Sequence, residues 1–339
     1  MTRRVTMNEL IKVTGLSRAT IDRALNKRGG IHPRTEQVIN RALEQLGRAP
    51  QENGGLPASS AADAVLRVGR GFAMQIQASC QNRAIPLNFV DMSQKNEDEM
   101  LDAVNDACRD VSRPLIVTAK NTERMNALLL QARKRGKRVI TFVSDLPHDS
   151  RDAFVGIDNR SAGQTAAYLI GSLLKERESA TVGVVLGDYA FNNHEDREIG
   201  FRSHLRANFP NIRLTDVAKG EDSPEQTYLA VRDLLKKHPD VAAIYNVAGG
   251  NAGMAKALEE AGLAGRTRVV THEANSITVP LMRDDVVQYV LAQDPAEMLK
   301  LAVNVALAKR PQPLKEQHLV DFGLHTRFNL PRFALDIVD

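Results

Sequence analysis

At 339 residues the chain is too long for one typical domain and long enough for two or three, each with its own core. A run of 18 apolar residues is absent, and the first thirty residues carry charges where a secretory leader needs an apolar stretch, so a helical membrane span is excluded and a cytoplasmic protein is expected. The net charge of +4 is unevenly spread: residues 1–47 carry nine Lys/Arg against four Asp/Glu, a net +5, and the remainder sums to −1.

A small basic head on a near-neutral body suits a polyanionic partner, because neutralising phosphates releases counterions. Within the head, Thr6 and Glu9 form a capping box that starts a first helix with Leu10, Ile11 and Val13 on its apolar side, and Gly15 ends it. Ser17 caps a second helix in which Ile21, Ala24 and Leu25 fall on one face. A third helix runs from Pro33 through Val38, Ile39, Ala42, Leu43 and Leu46 to Gly47. Two short helices about a glycine turn predict a helix-turn-helix, whose second helix places its N-terminal residues, here Arg18 and Ala19, on base edges in the major groove. Arginine reads guanine bidentately, whereas the short polar side chains of Ser17, Thr20 and Asn26 suit phosphates.

From Val5 to Gly47, and above all over Gly15-Leu16-Ser17-Arg18-Ala19-Thr20-Ile21-Asp22-Arg23-Ala24-Leu25-Asn26, the chain resembles the head of the LacI/GalR family of transcription regulators. The resemblance implies Arg18 and Ala19 as the specificity pair, Arg23 as a further base contact, and Ser17, Thr20 and Asn26 as backbone contacts. Thr6 and Arg34 complete the expected DNA-binding set. Asp22 departs from the small hydroxyl usual at its position; because a carboxylate near phosphates is repulsive, it is expected to pair with Arg18 or Lys27 or to read a cytosine amino group.

Residues 49–65, rich in Gly, Pro, Ser and Ala, are expected to be a linker. Family members carry a leucine-bearing hinge helix here; Leu56 is the only candidate for that wedge and lies between Gly55 and Pro57. The first strand that should follow is not evident, so hinge and first strand are expected to be shortened.

Beyond residue 66, apolar runs alternate with amphipathic stretches. Strands are expected at Leu87–Val90, Leu115–Thr118, Val139–Val143, Val182–Leu186, Val241–Tyr245, Val269–Thr271 and Val286–Leu291. Helices are expected at Met100–Asp110, Met125–Lys134, Ser161–Leu174 and Ala252–Ala261. Repeated βα units with buried parallel strands predict a doubly wound α/β architecture. The resemblance extends here through Ser144-Asp145-Leu146, Val155-Gly156-Ile157-Asp158-Asn159, Asp196-Arg197-Glu198-Ile199-Gly200-Phe201 and Phe328-Asn329-Leu330-Pro331. It implies two periplasmic-binding-protein-like subdomains with the ligand between them. The expected organisation is therefore an all-α head (1–48), the linker, and an effector-binding domain (66–339). Its subdomains would span about 66–157 with 294–318, and 158–293 with 319–339.

Ligands of open α/β sheets sit beyond the carboxyl ends of strands, so polar residues following the apolar runs are the candidates. These are Asp145, Tyr189, Asn192, His194, Arg197, Asn246, Glu273 and Gln293. Carboxylates, amides and an arginine converging on a cleft suit a ligand with many hydroxyls. By family position Arg197, Asn246, Glu273 and Gln293 lead, followed by Asp145. Asp158, Asp188 and Asp294 serve equally well as helix caps or turn residues. The amides of Gly249-Gly250-Asn251-Ala252-Gly253 face a helix start and offer an anion site, which leaves a sugar acid or phosphate open beside a neutral sugar or polyol.

Nothing beyond residue type supports catalysis: Gly-x-Ser-x-Gly, His-Glu-x-x-His and the phosphate-binding loop are all absent. Two cysteines, Cys80 and Cys108, make neither a disulfide framework nor a zinc set, and no cofactor is expected. The expected protein is a homodimeric repressor that binds a pseudo-palindromic double-stranded operator under control of a small polar effector. A sugar-binding protein or carbohydrate enzyme without a regulatory role is the alternative.

Overall fold

The computed structural model describes residues 62–82, 87–308 and 316–335, together with Leu10, Thr14, Leu16, Ser17, Thr20, Ile21, Ala24, Thr35 and Ile39 of the head. The chain divides into two units, Met1–Ser60 and Ala61–Asp339.

In the first unit Leu10, Ile21 and Ile39, one from each expected helix, are helical and at most 1% exposed. Thr14 Oγ1 donates to the Leu10 carbonyl at 2.6 Å. The Ser17 hydroxyl accepts from the Thr20 amide at 3.2 Å while the Ser17 carbonyl accepts from the Ile21 amide, which is N-cap geometry at the start of the second helix. Of the expected DNA-binding residues, Ser17 and Thr20 are described; Thr6, Arg18, Ala19, Arg23, Asn26 and Arg34 lie outside the described residues.

The second unit consists of two βα-wound lobes. The chain runs β1 (Ala62–Leu66), α1 (Arg70–Asn82), β2 (Leu87–Asp91), α2 (Glu97–Ala107), β3 (Leu115–Thr118), α3 (Glu123–Lys134), β4 (Val139–Phe142) and β5 (Ala153–Gly156). It then enters the other lobe with α4 (Asn159–Leu174), β6 (Ala180–Leu186), α5 (Asn192–Asn208), β7 (Ile212–Lys219), α6 (Pro224–Lys237), β8 (Ala243–Asn246), α7 (Asn251–Glu260), β9 (Arg268–His272), α8 (Thr278–Arg283) and β10 (Tyr289–Ala292). Helix α9 (Pro295–Leu307) returns to the first lobe, followed by β11 (Gln317–Leu319), β12 (Gly323–His325) and α10 (Arg332–Leu335). The sheet orders are β11-β5-β4-β3-β1-β2 and β12-β10-β9-β8-β6-β7, equivalent strand for strand. All paired strands are parallel except β12, which is antiparallel to β10.

Local chemistry starts these helices. Asn96 and Glu99 close a capping box on α2, Thr122 caps α3, and Ser223 followed by Pro224 opens α6. Asp158 and Asp294, one at each crossing between lobes, accept from the first amides of α4 and α9. The cap reading thus describes both carboxylates.

The expectation of a shortened first strand is corrected. All of strand β1 but its last residue, Leu66, lies within the stretch read as linker, and it is an inner strand, paired to both β2 and β3, with all five residues buried. Two alanines and Asp63 hid it by breaking the apolar run. The 5%-exposed Asp63 is kept inside by Arg113 at 2.8 Å, by Asn88 at 3.0 Å and by the buried Lys137 at 3.9 Å.

Candidate functional site

The strand ends of both lobes open onto one cavity of about 320 Å³. The first lobe contributes Arg67 and Val68 after β1, Gln94 after β2, Thr118 at the end of β3, Val143 after β4, and Gly71 and Phe72 from the first turn of α1. The second contributes Asn193, His194 and Arg197 of α5, Asp222 after β7, Asn251 at the start of α7, and His272 and Glu273 at the end of β9. Four helix starts, those of α1, α5, α6 and α7, abut the space, and the N-cap residues of α5 and α7, Phe191 and Gly250, place no side chain on the amides that follow. A helix start without a side-chain cap, as at Gly250 before α7, suits an oxygen-bearing ligand.

Arg197 anchors the second lobe. Its guanidinium, 2% exposed, donates to Asn159 Oδ1 at 2.8 Å and to the Val247 carbonyl at 3.0 Å, and its free edge lies 3.7 Å from Glu273. The helix carrying it is seated by Gly163 on α4: a Cβ there would stand 2.0 Å from the Arg197 carbonyl oxygen.

Glu273 accepts from Gln293 at 2.9 Å, and burial pushes its carboxyl up to about 7, with Arg197 pulling the other way. Its backbone is left-handed, φ 66°, and so is that of Val143, also 66°. The two occupy equivalent positions, just after β4 and β9, and each amide donates to the next strand's carbonyl, Val155 or Leu291, at 3.0 Å. A left-handed β-branched valine costs about 1–3 kcal/mol, a cost that persists only where surrounding structure enforces it, as at binding sites.

Both histidines of the cavity are held neutral by burial, His272 most strongly, with Arg197 adding to the effect on each. His194 Nδ1 stands 3.2 Å from the Asp188 carbonyl, and His272 Nε2 lies 2.7 Å from Tyr245 Oη.

Of the eight candidates, the structure brings His194, Arg197 and Glu273 to the cavity wall. Gln293 and Asn246 stand behind it, Gln293 holding Glu273 and Asn246 donating to the Gly249 carbonyl and to Asn251 Oδ1, both at 2.9 Å. The other three do not line it. Asp145 is consumed by Arg151, at 2.6 and 2.8 Å, and by the Thr141 hydroxyl at 2.7 Å. Tyr189 is 39% exposed with Lys219 over its ring, and Asn192 accepts from Asn121 of the other lobe at 3.1 Å. The anion cradle at Gly249–Gly253 is also corrected: the chain's own Asp222 carboxylate accepts from the Gly249 amide at 2.7 Å, so an external anion would meet like charge there.

The wall residues that sequence reasoning passed over have a common origin. Arg67 and Asp222 follow β1 and β7, strands that did not read as apolar runs, and Gln94 and Asn275 sit in turns a few residues past strand ends. Strand periodicity sought on one buried face would have found β7, whose residues alternate between partial burial and exposure over Ile212-Arg213-Leu214.

The lobes meet around the cavity. Across one edge the Asn121 amide donates to the Ala190 carbonyl at 2.6 Å and Lys120 pairs with Asp188 at 2.5 Å; across the other, Gln75 Nε2 donates to the Ala274 carbonyl at 2.7 Å. Among the described residues no helix is long and apolar enough to cross a membrane.

Residues 68–310 match the family model described as periplasmic binding protein domain. The HTH-type transcriptional repressor PurR of Yersinia pestis bv. Antiqua is 24% identical over 264 residues, 70% of each chain. Among solved structures, a glucose-galactose binding protein from Geobacillus stearothermophilus superposes with TM-score 0.69 at 22% identity, covering 80% of this chain and 99% of that one. A solute binding protein from Burkholderia graminis in complex with D-arabinose gives 0.72 at 19% identity, covering 80% and 97%. These likenesses fix the two-lobed fold.

Proposed function

The chain belongs to the periplasmic binding protein domain family, and from that premise we propose that its larger unit senses a small hydroxyl-bearing metabolite and that the basic head converts this into sequence-specific DNA binding, as a homodimeric repressor. The observation that carries the reading is the cavity at the strand ends of both lobes, where Arg197, Glu273 and His194 converge. Its volume suits a ligand of sugar size, and its carboxylates, amides and neutral imidazoles suit hydroxyls. The relative named as a transcriptional repressor, the net +5 of residues 1–47 and the Ser17 cap support the DNA-binding half. A head spanning 1–48 joined by a linker ending before β1 is the corresponding domain organisation.

Thermal unfolding of the full chain against sugars, polyols, sugar acids and their phosphates tests the sensor half. A ligand at a hundredfold excess over Kd stabilises by about 2.7 kcal/mol, and Arg197→Ala abolishes that shift. DNA binding is tested by selecting operators from a random pool. Arg18→Ala then relaxes preference at one base pair, by about 1–3 kcal/mol. A uniform loss over all sequences assigns Arg18 to phosphate, and no enriched sequence ends the regulator reading in favour of a binding protein without DNA.

A further inference from the structure

Two polar atoms on the cavity-lining side chains have no partner. His272, 1% exposed, leaves Nδ1 unbonded, and Asn193, 6% exposed, leaves Oδ1 unbonded. Buried polar atoms without partners are uncommon enough that each calls for an explanation. In a binding cavity that explanation is a ligand group of opposite polarity.

The polarity of the His272 atom follows from its neighbours. Tyr245 is fully buried, and burial pushes its phenol up, so the hydroxyl keeps its proton. Its one hydrogen-bond neighbour among the described residues is His272 Nε2, at 2.7 Å, so the phenol donates there and Nε2 accepts. Burial and the Arg197 charge keep the ring neutral, which leaves its single proton on Nδ1. His272 therefore presents a donor lacking an acceptor, and Asn193 an acceptor lacking a donor. A hydroxyl group supplies both complements, whereas a carboxylate supplies only the first and an ammonium only the second.

We propose that His272 Nδ1–H and Asn193 Oδ1 read hydroxyl groups of the effector and set its specificity, with Tyr245 as the positioning residue that fixes the His272 tautomer. The proposal rests on the sensor reading above and names a recognition element within it. Asn193 is further held by its own amide, which donates to Ser144 Oγ of the other lobe at 3.4 Å, so the acceptor is set in place as the lobes meet.

The test uses the full-length protein in two measurements. Long-range ¹H–¹⁵N spectra of histidine-labelled protein report the tautomer without any ligand: the expected pattern is a neutral ring protonated at Nδ1, and Tyr245→Phe shifts it toward a mixture. Calorimetry then compares D-glucose, D-galactose and D-arabinose with their monodeoxy analogues. One deoxy position is expected to weaken binding roughly tenfold or more in the wild type, and that penalty is expected to vanish in His272→Leu or in Asn193→Ala. Circular dichroism confirms that each variant is folded, and the spectroscopic arm stands if one is not. An Nε2-protonated ring, or deoxy penalties unchanged in both variants while the parent sugars still bind, overturns the pair and leaves the sensor reading intact. A panel in which no sugar binds overturns both.

Discussion

Glu273→Gln separates the energetic cost of a buried carboxyl from its use. In the folded chain burial raises this carboxyl from the ordinary 4.5 to about 7. A group whose folded value is raised binds its proton more tightly when folded, so its stabilising contribution is complete below pH 4.5 and is lost as pH rises through 7. Integrated between pH 5 and 8, the loss is about 2.5 kcal/mol, with most of it falling between pH 5 and 7. Glutamine keeps an oxygen for the Gln293 amide and does not titrate, and Arg197 keeps Asn159 and the Val247 carbonyl. Urea unfolding of both proteins at half-unit pH steps gives the difference curve, in which every other titrating group cancels. The variant is expected to gain on the wild type by about 2–3 kcal/mol across this range. Parallel curves refute the reasoning: they mean that Arg197, though 3.7 Å away, already holds Glu273 ionised at pH 5.

Gly163→Ala places a methyl group 2.0 Å from the Arg197 carbonyl and 2.9 Å from the Phe201 amide, so α4 and α5 must separate; a stability loss of about 1–3 kcal/mol in urea, with weakened ligand binding because Arg197 moves with α5, is expected. Asp145→Ala removes the partner of the 5%-exposed Arg151 and is expected to cost about 3–5 kcal/mol of stability while leaving the calorimetric Kd of any ligand within twofold. A tenfold loss of affinity with stability unchanged would restore Asp145 to the site.

The lobes were legible where strands are purely apolar. Val182–Leu186 and Leu115–Thr118 are buried along nearly their whole length, so burial and sequence carry the same message. Strand β1 was hidden because its burial rests on an ion network: Asp63 is internal only by virtue of Arg113, Asn88 and Lys137, which lie 25 to 74 positions further along the chain. The site shows the same division. Arg197 and Glu273 stand where the strand-end rule puts them, but that rule does not distinguish Asp145 from Glu273, since both follow an apolar strand. What separates them is a partner: Arg151, six residues on, neutralises Asp145 outright, whereas the Arg197 charge near Glu273 is already shared with Asn159 and Val247. Sequence spacing places both partners; only the fold assigns them.

The two lobes repeat one topology, and their differences at equivalent positions say how the cavity works. The left-handed residue after the third strand of each sheet is Val143 in one lobe and Glu273 in the other. The same backbone strain thus aims an apolar group from one side and a titratable one from the other. The first lobe sets Phe72 and Val68 on the wall with Val143, along with Arg67, Gln94 and Thr118, and the second sets Arg197, His272 and Asn193 there with Glu273. A ring with hydroxyls along its edges and carbon on its faces satisfies both walls at once. Substitutions at Val143 should therefore change how tightly all ligands are held, and substitutions at His272 or Asn193 which ligand is held.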